Sequence, residues 1–100
     1  MIIATRSDYT LQVQGHAGQG AHGHDIVCAA ASMLFFALAD TLRKDAIPYE
    51  ISAESGNGII VAYPQREVTF DADCYFKLVC NGYRALAREH PENITFNDDS

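Results

Sequence analysis

Basic residues are scarce in this chain: seven Lys and Arg stand against thirteen Asp and Glu, a formal net charge of −6. Phosphate-backbone binding depends on clustered Lys and Arg, so no direct nucleic-acid partner is expected. Cysteines are few, at positions 28, 74 and 80, and none forms a CxxC pair. Their odd number argues against a disulfide framework and for a reducing compartment. The opening residues lack a basic segment followed by an apolar run, so no signal peptide is expected. The most apolar segment, residues 26–39, is broken by Ser32 and falls short of the roughly 20 residues a membrane span needs. Repeats, linkers and low-complexity tracts are missing as well. These absences point to a soluble, cytoplasmic protein with no membrane association.

What is present is globular in composition, with 48% apolar and 20% charged residues. One hundred residues make one domain, 1–100, able to bury at best roughly two-thirds of its unfolded surface. Pairing of protomers would help such a small core cover its apolar surface. Residues 2–4 and 11–14 read as short strands around the polar turn Arg6-Ser7-Asp8; in the second, Leu11 and Val13 alternate with Gln12 and Gln14. A long helix is expected from Ile26 to about Lys44. It is apolar nearly all round, with Val27, Ala30, Ala31, Leu34, Leu38 and Leu42 on one side and Met33, Phe36 and Ala37 on another. A helix without a clean polar face is covered on more than one side, by the sheet and by a second element, a partner subunit among the candidates. Residues 49–53 and 59–63 read as strands around Glu54-Ser55-Gly56-Asn57-Gly58, where Asn-Gly is a hairpin signal. A second helix is expected from about Asp71 to Glu89, with Cys74, Leu78, Val79, Tyr83 and Leu86 near helical spacing and Gly82 as a weak spot. Residues 93–96 suggest a last short strand. The order β-β-α-β-β-α-β with tight hairpins predicts an α+β fold, a largely antiparallel sheet of short strands with two α-helices.

The chemistry concentrates in residues 15–30, GHAGQGAHGHDIVCAA. A loop carrying Gly15, Gly18, Gly20 and Gly23 joins a strand to the first helix, and glycine opens backbone angles closed to other residues. Asp25 is a good helix cap. With Asp25 as cap, Cys28 is the third helical residue, in the first turn, where unpaired N–H groups and the helix dipole favour negative charge. Sulfur in that form attacks carbonyls and binds metals. His16 sits where the strand ends and is the best candidate base; His22 and His24 lie farther along the loop, facing substrate or solvent. Ser32 is one turn beyond Cys28 and shares its face, although such a serine also bonds back to helix carbonyls.

Nucleophilic cysteine catalysis needs a thiolate, a base and oxyanion donors, and this stretch offers all three. Other readings compete. A cysteine at an apolar helix start is often a packed small hydrophobe, the reading given to Cys74 and Cys80. Zinc on His16, His22, His24 and Cys28 is chemically sound, but the spacing matches no common zinc pattern, so no metal or cofactor is expected. The loop lacks the P-loop lysine and the dinucleotide spacing. A peptide-binding module without catalysis would need none of this chemistry.

At Gly15-His16 and Asp25-Ile26-Val27-Cys28-Ala29, with Gly23 between and Ser32 one turn on, the chain resembles the ribosomal-processing cysteine proteases of the Prp family. The two-helix, hairpin-rich layout fits over nearly the full length. The resemblance implies Cys28 as nucleophile and His16 as general base, with Asp25 and Ser32 in support and Gly15, Gly18, Gly20, His22, Gly23 and His24 forming the substrate loop. It also implies a homodimer that removes a short N-terminal extension from the twenty-seventh protein of the large ribosomal subunit. The expected substrate peptide is apolar and aromatic before the cut, with a small residue at it and basic residues after. A prophage homologue processing a capsid or scaffold protein would share the catalytic pair. The first hairpin reads as short, and an edge there would bear on peptide docking by strand addition.

Overall fold

In the computed structural model, residues 1–15 and 24–99 are described, residues 24 and 25 for their backbone only. Among the described residues, five strands and two long helices follow the order β1 (Ile2–Ser7), β2 (Thr10–Gly15), α1 (His24–Lys44), β3 (Tyr49–Glu54), β4 (Asn57–Ala62), α2 (Thr69–Glu89) and β5 (Ile94–Asp98). A single 3₁₀ turn, Arg66–Val68, leads into α2. The sheet runs β3-β4-β2-β1-β5. Every neighbouring pair is antiparallel except β1 with β5, which is parallel. The architecture is the expected α+β one, with both helices packed on one face of a largely antiparallel sheet.

Alternation decides which face is covered. Register sets Ala4 opposite Val13, Leu11 opposite Ile60, and Ile2 opposite Ile94. On that side Ile2, Ala4, Leu11, Ile60, Ala62 and Ile94 are buried. From the helices, Val27, Ala31, Phe35, Leu38 and Leu42 of α1 and Ala72, Phe76, Val79 and Tyr83 of α2 close the same core. Buried apolar area contributes roughly 25 cal/mol per Å², so this single layer of contacts between sheet and helices supplies most of the fold's favourable free energy.

Several local expectations are corrected. The first hairpin is six residues a side rather than three or four, turning at Asp8-Tyr9 with Asp8 at φ 50°. Its strand β2 is central, flanked by β1 and β4, so it offers no edge to a peptide. The second hairpin turns at Ser55-Gly56, where Gly56 takes φ 75°, and Asn57-Gly58 belongs to β4. The strand needs that glycine: a Cβ on Gly58 would stand 2.9 Å from the Phe35 ring. Gly82 is likewise no mere weak spot, because a Cβ there would stand 2.6 Å from Leu34 Cδ2, at the crossing of α1 and α2.

Cys80 is buried as expected, but Cys74 and Leu78 point outward, the latter 73% exposed. They lie one turn apart on the strip of α2 away from the core, where helical spacing alone does not tell inside from outside. Helix α1 ends at Lys44 as expected and begins two residues earlier than expected, at His24. Over Ile26–Lys44 its mean hydropathy of 1.6 satisfies the length and composition of a membrane-crossing helix. In this fold its buried side is spent on α2 and the sheet.

Candidate active site

Cys28 lies half-buried on α1 against the edge of the core. Its side chain opens onto a cleft of about 300 Å³ between α1 and the end of the β3–β4 hairpin. The α1 wall carries Cys28, Ser32 and Phe36, spaced four residues apart and so stacked on one face. Ala53, Glu54, Gly56, Asn57 and Gly58 form the opposite wall, while Ile2, Val13 and Phe35 make an apolar floor. Phe36 meets Phe35 edge-on, with centroids 5.2 Å apart.

Gly15 closes one end. It ends β2 at φ 95°, a left-handed region that side chains other than glycine rarely adopt. A Cβ there would also lie 2.3 Å from the Met1 carbonyl oxygen. Its N–H donates to the Gly56 carbonyl at 2.8 Å, fastening the start of the loop to the hairpin turn across the cleft. The residue that follows in sequence is His16.

Helix α1 begins at His24, ahead of Asp25, so Asp25 sits in the first turn rather than at the cap position. Cys28 is then the fifth helical residue, one position past the first turn, and its own N–H takes part in the i→i−4 ladder. The N–H groups that helix geometry leaves open are those of residues 24–26. Helical Cα–Cβ bonds tilt toward the N-terminus, which leans the Cys28 side chain back over the turn where those donors stand. Chemically, the arrangement offers a sulfur near N–H groups that lie outside the i→i−4 ladder, at the positive end of a helix dipole, facing a cleft with an apolar floor and polar groups on its walls.

Of the residues singled out from sequence, Gly15, Cys28 and Ser32 come together on the cleft. His16, Gly18, Gly20, His22 and Gly23 lie outside the described residues, as do the side chains of His24 and Asp25. Among the described residues, no three His, Cys, Asp or Glu side chains gather as a metal site would require. Sequence reasoning passed over Phe35, Phe36 and the hairpin wall. Gly58 carried the available signal, since glycine inside a strand marks a close approach by another group.

The family model described as Cysteine protease Prp matches residues 3–95. The chain belongs to the Prp cysteine protease family. No curated protein matches it. Among solved structures, it is similar to the essential ribosomal processing protease Prp from S. aureus in complex with a substrate peptide. The two share 23% identity at a TM-score of 0.79, covering 97% of this chain and 96% of that one. The same protease with a covalently linked product peptide gives 24% identity and a TM-score of 0.77 over the same shares. SMU.848 from Streptococcus mutans gives 26% and 0.70, covering 97% of this chain and 89% of that one. The fold is thus that of the Prp proteases, and the chain is a cysteine protease by family.

Proposed function

We propose that this Prp-family protein removes the short N-terminal extension of the twenty-seventh protein of the large ribosomal subunit. The observation that carries the reading is Cys28 lining a cleft with an apolar floor, in a chain whose family is that of cysteine proteases. The S. aureus relative, called a ribosomal processing protease, supports the choice of substrate.

In this mechanism His16 takes the Cys28 proton as the sulfur attacks the scissile carbonyl. Open N–H groups of residues 24–26 receive the developing oxyanion, each such donor being worth roughly 10²–10³ in rate. His16 then protonates the leaving amine, and a thioester remains between the extension and Cys28. Water, deprotonated by His16, attacks that thioester and frees the extension as an acid. Asp25 supports the site from the first turn of α1, and Ser32 from one turn beyond the sulfur. Gly15, Gly18, Gly20, His22, Gly23 and His24 belong to the loop that meets the substrate. The cleft's apolar floor suits the apolar and aromatic residues expected before the cut.

The enzyme acts in the cytoplasm on a peptide, without nucleic acid, and as a homodimer of a single domain spanning 1–100. Exposed Ile26 and Met33 on α1 are the kind of surface a second copy would cover. Incubating the purified protein with the host's extended ribosomal protein tests the reading. One new, shorter mass is expected, together with the released extension. An unchanged mass contradicts the assignment.

A further inference from the structure

The sheet has an open edge beside the cleft. Strand β3 is last in the order, and among the described residues no chain lies beyond it. Its register with β4 decides which backbone groups face outward. Glu54 pairs with Asn57 across the two-residue turn, and in the same series the Tyr63 N–H donates to the Pro48 carbonyl at 2.7 Å. Bonded pairs therefore fall at positions 48, 50, 52 and 54. Antiparallel pairing leaves the alternate residues, Tyr49, Ile51 and Ala53, with N–H and C=O turned toward the empty side.

The same three residues set their side chains on the helix-covered side of the sheet, since their partners include buried Ile60 and Ala62. Yet Ile51 remains 42% exposed, and Phe36, on the α1 wall of the cleft that Ala53 also lines, 48%. Natural edges are blunted by lysine, proline or bulges. Residues 49–54 carry no lysine, proline or bulge, their only charged side chains are Glu50 and Glu54, and their six register pairs run unbroken.

We propose that the scissile peptide binds as a sixth strand on β3, its backbone bonded to Ile51 and Ala53. The proposal rests on the proteolytic reading above and adds to it how the substrate is held. Continuity with the cleft argues for this occupant: Ala53 ends the open edge and lines the cleft that Cys28 faces. The row Cys28, Ser32, Phe36 is about 12 Å long, the reach of three or four extended residues. A strand laid there has alternate side chains over Ile51 and Phe36, where the fold leaves apolar surface open. Main-chain bonds supply affinity and alternate pockets supply selectivity, as in other strand additions.

An N-methyl scan tests it, using a synthetic peptide of the N-terminal segment of the host's twenty-seventh large-subunit protein. Methylation at every second position on one side of the cut is expected to lower kcat/KM at least tenfold, with the intervening positions little changed. Ala53→Pro removes an outward N–H without touching a bond to β4, and is expected to raise KM roughly threefold to tenfold with kcat retained. A scan without two-residue alternation, or an Ala53→Pro enzyme of normal KM, overturns strand addition while leaving the protease reading in place. Failure to cut the unmodified peptide overturns both. Ala53→Pro that dissociates a dimer but leaves KM unchanged assigns the edge to a second copy instead, and likewise overturns the proposal.

Discussion

The Tyr83 hydroxyl donates a 2.7 Å hydrogen bond to the Ala31 carbonyl, tying α2 to the stretch of α1 that lines the cleft. Both groups are buried, so the bond is not exchanged for water. Tyr83→Phe keeps the ring and removes the donor. It should cost about 1–2 kcal/mol, lowering Tm by about 5–10 °C, as read by thermal unfolding with circular dichroism. An unchanged Tm would show that the bond does not hold the two helices.

Gly15 combines a positive φ with a backbone contact that leaves no room for a Cβ. Gly15→Ala should destabilise the fold by at least about 2 kcal/mol, measured by urea unfolding. Proteolysis should fall too, because the chain leaves β2 at this residue on its way to His16.

At the helix crossing, Gly82→Ala sets helix propensity, a gain of about 1 kcal/mol, against a 2.6 Å approach to Leu34. The atoms approached are the end of the half-buried Leu34 side chain, which can turn aside, so the two effects largely offset and the net change should stay within about 1 kcal/mol. In a Leu34→Ala background the same change should be neutral or stabilising. A double-mutant cycle reads this coupling directly.

Alkali should loosen the core from within. Burial pushes the Cys80 thiol up from 9.0 to about 11, and burial also raises the Tyr83 hydroxyl above its ordinary 10.0. The unfolded chain gives up the Cys80 proton near pH 9, while the folded chain keeps it until about 11. The stability this group contributes is therefore complete below pH 9 and lost as pH climbs to about 11. Tyr83 extends the decline above pH 10. Urea unfolding at a series of pH values should show a steeper fall between 9 and 11 for the parent than for Cys80→Ala.

The order of elements was legible because short apolar runs bounded by turn residues alternate with two long apolar stretches, as between Val13 and Val27. Chain partners were not. Nothing in residues 94–98 says that they lie parallel to β1, because pairing is a tertiary choice. Asn57-Gly58 read as a turn because the dipeptide favours one, yet Ser55-Gly56 turns instead and leaves Gly58 beneath the Phe35 ring. Inside and outside of α2 were confused at Cys74 and Leu78, since an apolar residue on a helix carries no label for the side that is covered. Cys28 was legible as chemistry from its place near a helix start. Its cleft was not, because the opposite wall comes from a hairpin 25 and more residues away in sequence.

Cys28 as the attacking atom is the claim on which the rest depends. Cleavage of the extended ribosomal protein is best followed by mass for the parent, Cys28→Ala and His16→Ala proteins, each shown folded by circular dichroism. Cleavage by the parent alone, with loss of at least about a thousandfold in both variants, is the predicted result. Normal processing by Cys28→Ala would contradict it.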